Sequence, residues 1–122
     1  MKKILFIEDE ESLQKTIADA LAKEEFEILS ALDGENGFRL AKEEHPDLIL
    51  LDLRLPEMGG IEVLEKLKKD EATKDIPVII LTNVEEMREI QRAIDLGATT
   101  YLVKINYKLE EVVEKVKKAL GE

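Results

Sequence analysis

The chain has 122 residues, no cysteine, a single histidine and a formal net charge of −10. These values exclude disulfides, thiol chemistry and zinc sites built on cysteine or on several imidazoles. They also argue against nucleic-acid binding, which needs a basic face to displace phosphate counterions. At 44% hydrophobic residues a single domain of this length buries a real core, and no apolar run approaches the ~18 residues of a membrane span.

From the N-terminus, Met1-Lys2-Lys3 leads straight into the apolar run Ile4 to Ile7. That run is far shorter than a signal-peptide core, so a soluble, cytoplasmic protein without a membrane partner is expected. Ile4 to Ile7 is bounded by polar residues, as expected of a strand buried on both faces. Leu13, Ile17, Ala20 and Leu21 follow at helical spacing. Phe26 to Ser30 is a weaker, mixed strand of the kind found at sheet edges. A second helix is expected from about Gly34 to Glu44, with Asp33 as its N-cap and Phe38 and Ala41 facing inward. His45 precedes Pro46 at a loop-to-strand junction, where a surface role is expected rather than a phosphohistidine.

Leu48 to Leu51 is a second buried strand pattern. Gly59-Gly60 lacks the spacing of a dinucleotide loop and reads as a tight turn opening a helix striped by Ile61, Leu64 and Leu67. Val78 to Leu81 is the third continuous apolar run, followed by a stripe of Met87, Ile90 and Ile94 with Gly97 as the C′ residue. Thr99 to Val103 is a second edge-type strand. The last helix aligns Leu109, Val112, Val113, Val116 and Leu120, with Glu111–Lys115 and Glu114–Lys118 pairs at i,i+4. The 20 Glu and 14 Lys fit either heat adaptation or ordinary solvated helix faces.

The order βαβαβαβαβα predicts an α/β fold: a doubly wound five-stranded parallel sheet, strand order 2-1-3-4-5, with five helices on both faces. In such sheets ligands bind beyond the carboxyl ends of the strands, where the strand order reverses. The residues at those ends are Glu8 and Asp9 after strand 1, Asp52 after strand 3, Thr82 after strand 4 and Lys104 after strand 5. A lone acid there is usually a helix cap, Thr82 could cap the next helix, and Lys104 could lie along the surface. Three carboxylates together repel one another unless a cation sits among them. Oxygen ligands select Mg²⁺ or a similar hard ion, Mn²⁺ included. Thr82 and Lys104 are redundant for a metal but suit an anionic tetrahedral group. A carboxylate can act as nucleophile to form an aspartyl phosphate, and Asp52 stands between both sets of groups.

Ile4-Leu5-Phe6-Ile7-Glu8-Asp9-Glu10, Asp47 to Asp52, Leu55-Pro56-Glu57-Met58-Gly59-Gly60, Leu81-Thr82 and Gly97-Ala98 with Tyr101-Leu102-Val103-Lys104 together resemble the receiver domain of bacterial two-component response regulators. The resemblance covers the whole chain and implies a flavodoxin-like fold. It implies that Asp52 takes a phosphoryl group from a histidine kinase or a phosphotransfer protein, making this a signalling phosphoprotein rather than a conventional enzyme. Asp9 would hold Mg²⁺ directly and Glu8 through water, with Asp52 and the Arg54 carbonyl as further ligands. Thr82 and Lys104 would bind phosphoryl oxygens, and Tyr101 matches an aromatic that changes rotamer with Thr82. The surface of helix 4, strand 5 and helix 5 would then switch to control an unknown downstream protein, as a monomer or a phosphorylation-dependent homodimer.

Three positions depart from that pattern. Ile105 replaces the proline usual after the lysine, so a trans peptide is expected, since a cis non-proline bond costs ~3 kcal/mol. Lys108 stands where a helix-capping side chain belongs, and Asn83 replaces a small residue. Arg54 and Val84 flank the approach of water to the acceptor in the family, and neither offers a general base, so slow autodephosphorylation is expected. Tyr107 reads as packing, surface or partner contact. The whole chain, 1–122, reads as one stand-alone, CheY-like receiver without an output domain, or as a piece of a larger regulator. A nucleotide- or flavin-binding enzyme on the same fold lacks its glycine-rich loop here, and an unphosphorylated interaction module is the third reading.

Overall fold

The computed structural model describes residues 1–83, 88–104 and 108–122. In chain order the elements are β1 (Lys3–Ile7), α1 (Glu11–Ala22), β2 (Glu27–Ala31), α2 (Gly34–Glu44), β3 (Leu48–Asp52), α3 (Gly60–Lys69), β4 (Val78–Thr82), α4 (Ile90–Asp95), β5 (Thr100–Val103) and α5 (Leu109–Ala119). All strands are parallel, and the sheet order is β2-β1-β3-β4-β5. Every residue of β3 and β4 is buried, whereas the edge strand β2 exposes Glu27 and Ser30, and β5 is largely half-buried. The three continuous apolar runs are thus the central strands and the two mixed runs the edges. The second strand begins and ends one residue later than its apolar pattern.

Because successive strand side chains point to opposite faces, each apolar run feeds two cores at once. Leu5, Ile7, Ile49, Leu51, Val78 and Ile80 face α2, α3 and α4 through Ala41, Val63, Leu64, Leu67, Ile90 and Ala93. Ile4, Phe6, Leu48, Leu50, Ile79 and Leu81 face α1 and α5 through Ile17, Leu21, Val112 and Val116. Full burial of such a side chain contributes about 1.5–3 kcal/mol before the entropy cost of ordering it. The reversal of winding explains the division. The chain runs one way from β1 to β2 and the other way from β2 to β5, and right-handed crossovers then place α1 opposite α2, α3 and α4.

Asp33 caps α2 as expected, accepting from the Asn36 amide at 2.8 Å. His45 is exposed and ends that helix in the left-handed region (φ 48°), a structural role on the surface. Gly97 follows α4 with φ 112°, as a C′ glycine should. At Gly60 a side chain would collide with the Asp52 carbonyl and the Leu53 backbone, so glycine lets α3 start directly against the end of β3.

Two apolar stripes differ from their predicted form. Ile94 is 38% exposed and Ala93 takes the inward place; Leu109 is 37% exposed at the start of α5. Both lie on the outermost helices next to the edge strand β5, where less sheet is available to cover them. Lys115 turns from Glu111 towards Thr100 Oγ1 (3.4 Å) and lies 6.0 Å from the Tyr101 ring centre. Among the described residues no helix is long and apolar enough to cross a membrane.

Candidate functional site

Parallel register brings the predicted rim residues together. Ile7 pairs with Leu51 and Asp52 with Leu81, so the residue one step beyond β1 stands beside the end of β3. Thr82 pairs with Val103, and the Lys104 amide donates to the Thr82 carbonyl at 2.8 Å. Glu8 and Asp52 are buried, at 0% and 1% exposure, while Asp9 is exposed. One carboxylate oxygen each from Glu8, Asp9 and Asp52 lies within 4.8 Å of the others.

Lys104 reaches between the two buried acids, with Nζ 3.1 Å from Glu8 Oε1 and 3.1 Å from Asp52 Oδ2. The backbone holds the other oxygen of each, Glu8 Oε2 accepting from the Glu10 amide and Asp52 Oδ1 from the Arg54 amide, both at 3.0 Å, and Lys104 Nζ also donates to Glu8 Oε2 at 3.4 Å. Glu8 Oε1 and Asp52 Oδ2 have no hydrogen-bond partner; the ammonium is at ion-pair distance from them without hydrogen-bond geometry. Burial, and then the Asp52 charge, push the Glu8 carboxyl up to about 7 despite the Glu10 amide and Lys104. Burial also raises Asp52, against the Arg54 amide and Lys104. For Lys104 burial acts downward, but Asp52 and Glu8 outweigh it and hold the ammonium above its ordinary value.

Three carboxylates against one ammonium leave two formal negative charges in this cluster. All the donors are oxygens, and two buried ones lack a hydrogen bond. That combination fits a hard dication, which neutralises the excess.

Thr82 is buried on the same rim, its hydroxyl donating to the Asn83 carbonyl at 3.1 Å. Tyr101 is half-buried one strand away, against the core on the α2–α4 face. Arg54 is exposed and contributes its amide to Asp52. Val84, the Ile105 peptide and Tyr107 lie outside the described residues. A groove of about 610 Å³ lies between β5 and α5 along Thr99, Thr100, Lys115 and Lys118, away from the acids.

One buried polar residue here has no counterpart in the sequence-based site. Gln14 is 8% exposed, and its Nε2 lies 3.0 Å from the Ala31 carbonyl and 3.3 Å from those of Phe6 and Glu8. Its only signal in the sequence is a polar residue three before Ile17 and seven before Leu21, on the inward face of α1.

The chain matches the response regulator receiver domain family over residues 4–117. It is 36% identical over 120 residues to the DNA-binding dual master transcriptional regulator RpaA of Synechocystis, covering 98% of this chain and 49% of that protein. It is 34% identical over 121 residues to the polar-differentiation response regulator DivK of Brucella ovis, covering 99% of this chain and 98% of that one. The crystal structure of the receiver domain of the sensor histidine kinase PA1611 from Pseudomonas aeruginosa, which has a magnesium ion coordinated in its active-site cleft, superposes with a TM-score of 0.89 at 26% identity. That match covers 99% of this chain and 98% of the other. The chain spans about half the length of several of the curated relatives it matches, and one of these is named as DNA-binding, so the expected absence of a nucleic-acid partner is not confirmed. With the family's fold, register and rim acids all in place, the chain belongs to the response regulator receiver domains.

Proposed function

We propose that Asp52 accepts a phosphoryl group from the phosphohistidine of a histidine kinase or a phosphotransfer protein. One observation carries the reading. Asp52 is 1% exposed, its Oδ1 is tied to the Arg54 amide, and its Oδ2 has no hydrogen bond and lies 3.1 Å from Lys104 Nζ. Oδ2 is therefore the oxygen available as nucleophile: its bond to phosphorus forms as the P–N bond breaks, and the imidazole nitrogen keeps the electron pair. Lys104 neutralises charge on the transferring oxygens, and Thr82 rotates from the Asn83 carbonyl to donate to one of them. Glu8, Asp9 and Asp52, with the Arg54 carbonyl, would hold Mg²⁺ or Mn²⁺, whose double charge offsets that of the phosphoryl oxygens.

Movement of Thr82 leaves space at the end of β4, and Tyr101 on β5 is placed to follow it inward. That couples the acid rim to the surface of α4, β5 and α5, where a downstream protein or a second copy would read the change. Arg54 shields the acceptor on its exposed side and slows the attack of water.

Acetyl phosphate with Mg²⁺ should add one phosphoryl mass to the wild type and none to Asp52→Ala, read by intact mass. Equal labelling of the two, or none of the wild type, would overturn the assignment.

A further inference from the structure

We infer that Gln14 is a positioning residue for the metal-binding acids, holding the main chain of Glu8, and through it Asp9, in the conformation that receives the dication. This rests on the reading of the rim as a phosphoacceptor site.

The two strands that meet here, β1 and β2, end at Ile7 and Ala31. The last backbone bond between them runs from the Glu8 amide to the Ala31 carbonyl at 3.0 Å. Beyond that bond the ladder has no further rung, so the Glu8 carbonyl needs a donor from elsewhere, while the Ala31 carbonyl, already accepting from the Glu8 amide, has a second lone pair to offer. Gln14 meets both from α1. Its amide nitrogen has two hydrogens for three acceptors, so Ala31 O at 3.0 Å takes one, and Phe6 O and Glu8 O at 3.3 Å share the other. A single side chain thus spans both strands and fixes the carbonyl of Glu8, which forms one side of the peptide linking the two acids. The Glu8 carboxylate is caught separately by the Glu10 amide at 3.0 Å. Main chain and side chain of Glu8 are therefore held by different partners.

Position 14 lies on the inward face of α1 together with Ile17 and Leu21. An apolar residue there would suit the core better, and burying an amide is unfavourable unless its hydrogen bonds are made. The amide instead meets three main-chain acceptors, one of them in the first acidic residue of the site. Partners that orient metal ligands in this way characteristically change metal affinity by about 10–100-fold when removed.

The test is Mg²⁺ affinity, measured by calorimetry and by the shift of the thermal midpoint, in wild type, Gln14→Met and Gln14→Asn. Methionine keeps the size and helix preference without the donors; asparagine keeps the amide but is one methylene short of reaching all three carbonyls. We expect the dissociation constant to rise about tenfold in Gln14→Met and about threefold in Gln14→Asn. The acetyl phosphate labelling rate at saturating Mg²⁺ should stay within about twofold of wild type. A lower midpoint with unchanged Mg²⁺ affinity in the variants would show a purely structural role and overturn the inference. If Gln14→Met does not fold, the asparagine variant decides it on the same criterion. Failure of wild type to bind Mg²⁺ would overturn the underlying reading and this inference with it, whereas binding by wild type with equal affinity in the variants overturns the inference alone.

Discussion

The two rims of the sheet handle polar groups in opposite ways. At the amino-terminal rim, Lys3 and Asp47 close the β1–β3 junction through a reciprocal pair of bonds, the Lys3 amide to Asp47 Oδ2 and the Asp47 amide to the Lys3 carbonyl, both 2.8 Å. Lys3 Nζ reaches Glu44 Oε1 at 3.3 Å with both side chains partly in water. Thr73 donates to the Leu67 carbonyl at 2.7 Å, and Lys68 to the Ile76 carbonyl at 2.9 Å. At the carboxyl-terminal rim two carboxylates are buried around one ammonium and two of their oxygens lack a hydrogen bond. The first arrangement joins elements at little cost. The second is unfavourable by itself, and a fold keeps such a feature where a ligand or a reaction completes it.

The largest test of that contrast is pH. Glu8 has a folded-state pKa of about 7 against an ordinary 4.5, and Asp52 is shifted in the same direction. The folded protein therefore binds more protons than the unfolded chain between those values. Stability is fully present below about pH 4.5 and is lost as pH rises through about 7. Metal-free protein should lose of the order of 2–3 kcal/mol between pH 5 and 8 in chemical unfolding, and Glu8→Gln should flatten most of that slope. A wild-type slope of zero, or an equal slope in Glu8→Gln, would locate the strain elsewhere.

Next in size is the metal. A tenfold excess of Mg²⁺ over its Kd should stabilise the wild type by ~1.4 kcal/mol by linkage, and the gain should nearly vanish in Asp9→Asn. An unchanged gain in that variant removes Asp9 from the ligand set.

Helix starts on the same rim offer a smaller comparison. Asp33 caps α2 and its carboxyl is held below the usual range, first by the Asn36 amide; Lys108 begins α5 with no side-chain cap. Lys108→Ser should stabilise the domain by about 0.5–1 kcal/mol, with Glu111 three residues on completing a capping box. A lower unfolding midpoint would contradict it. Smallest of all, Lys3→Met at the opposite rim should change stability by less than about 1 kcal/mol. It should also leave the pH slope unchanged. A change in that slope would mean that the two rims are electrostatically coupled.

Much of this molecule is legible in its amino-acid order. Three uninterrupted apolar runs imply strands covered on both faces, because a half-exposed strand would alternate. The residues following such runs must meet at one rim because parallel strands all end on the same side. Glu8, Asp9, Asp52, Thr82 and Lys104 follow from that, and three buried runs with two mixed ones fit the order of the sheet. What required the tertiary structure was which neighbour each group meets. Helical spacing points Ile94 and Leu109 inward, yet whether an apolar stripe is covered depends on how much sheet lies opposite, and both stand near an edge. Lys104 reads as a charge after a strand; only register shows it 3.1 Å from two buried carboxylates. Gln14 reads as a blemish in a stripe; only the fold sets it against carbonyls from both β1 and β2. Periodicity belongs to the local chain and survives in the sequence. A hydrogen bond or ion pair between residues 44 or 96 positions apart depends on the packing of the whole, and that is decided in three dimensions.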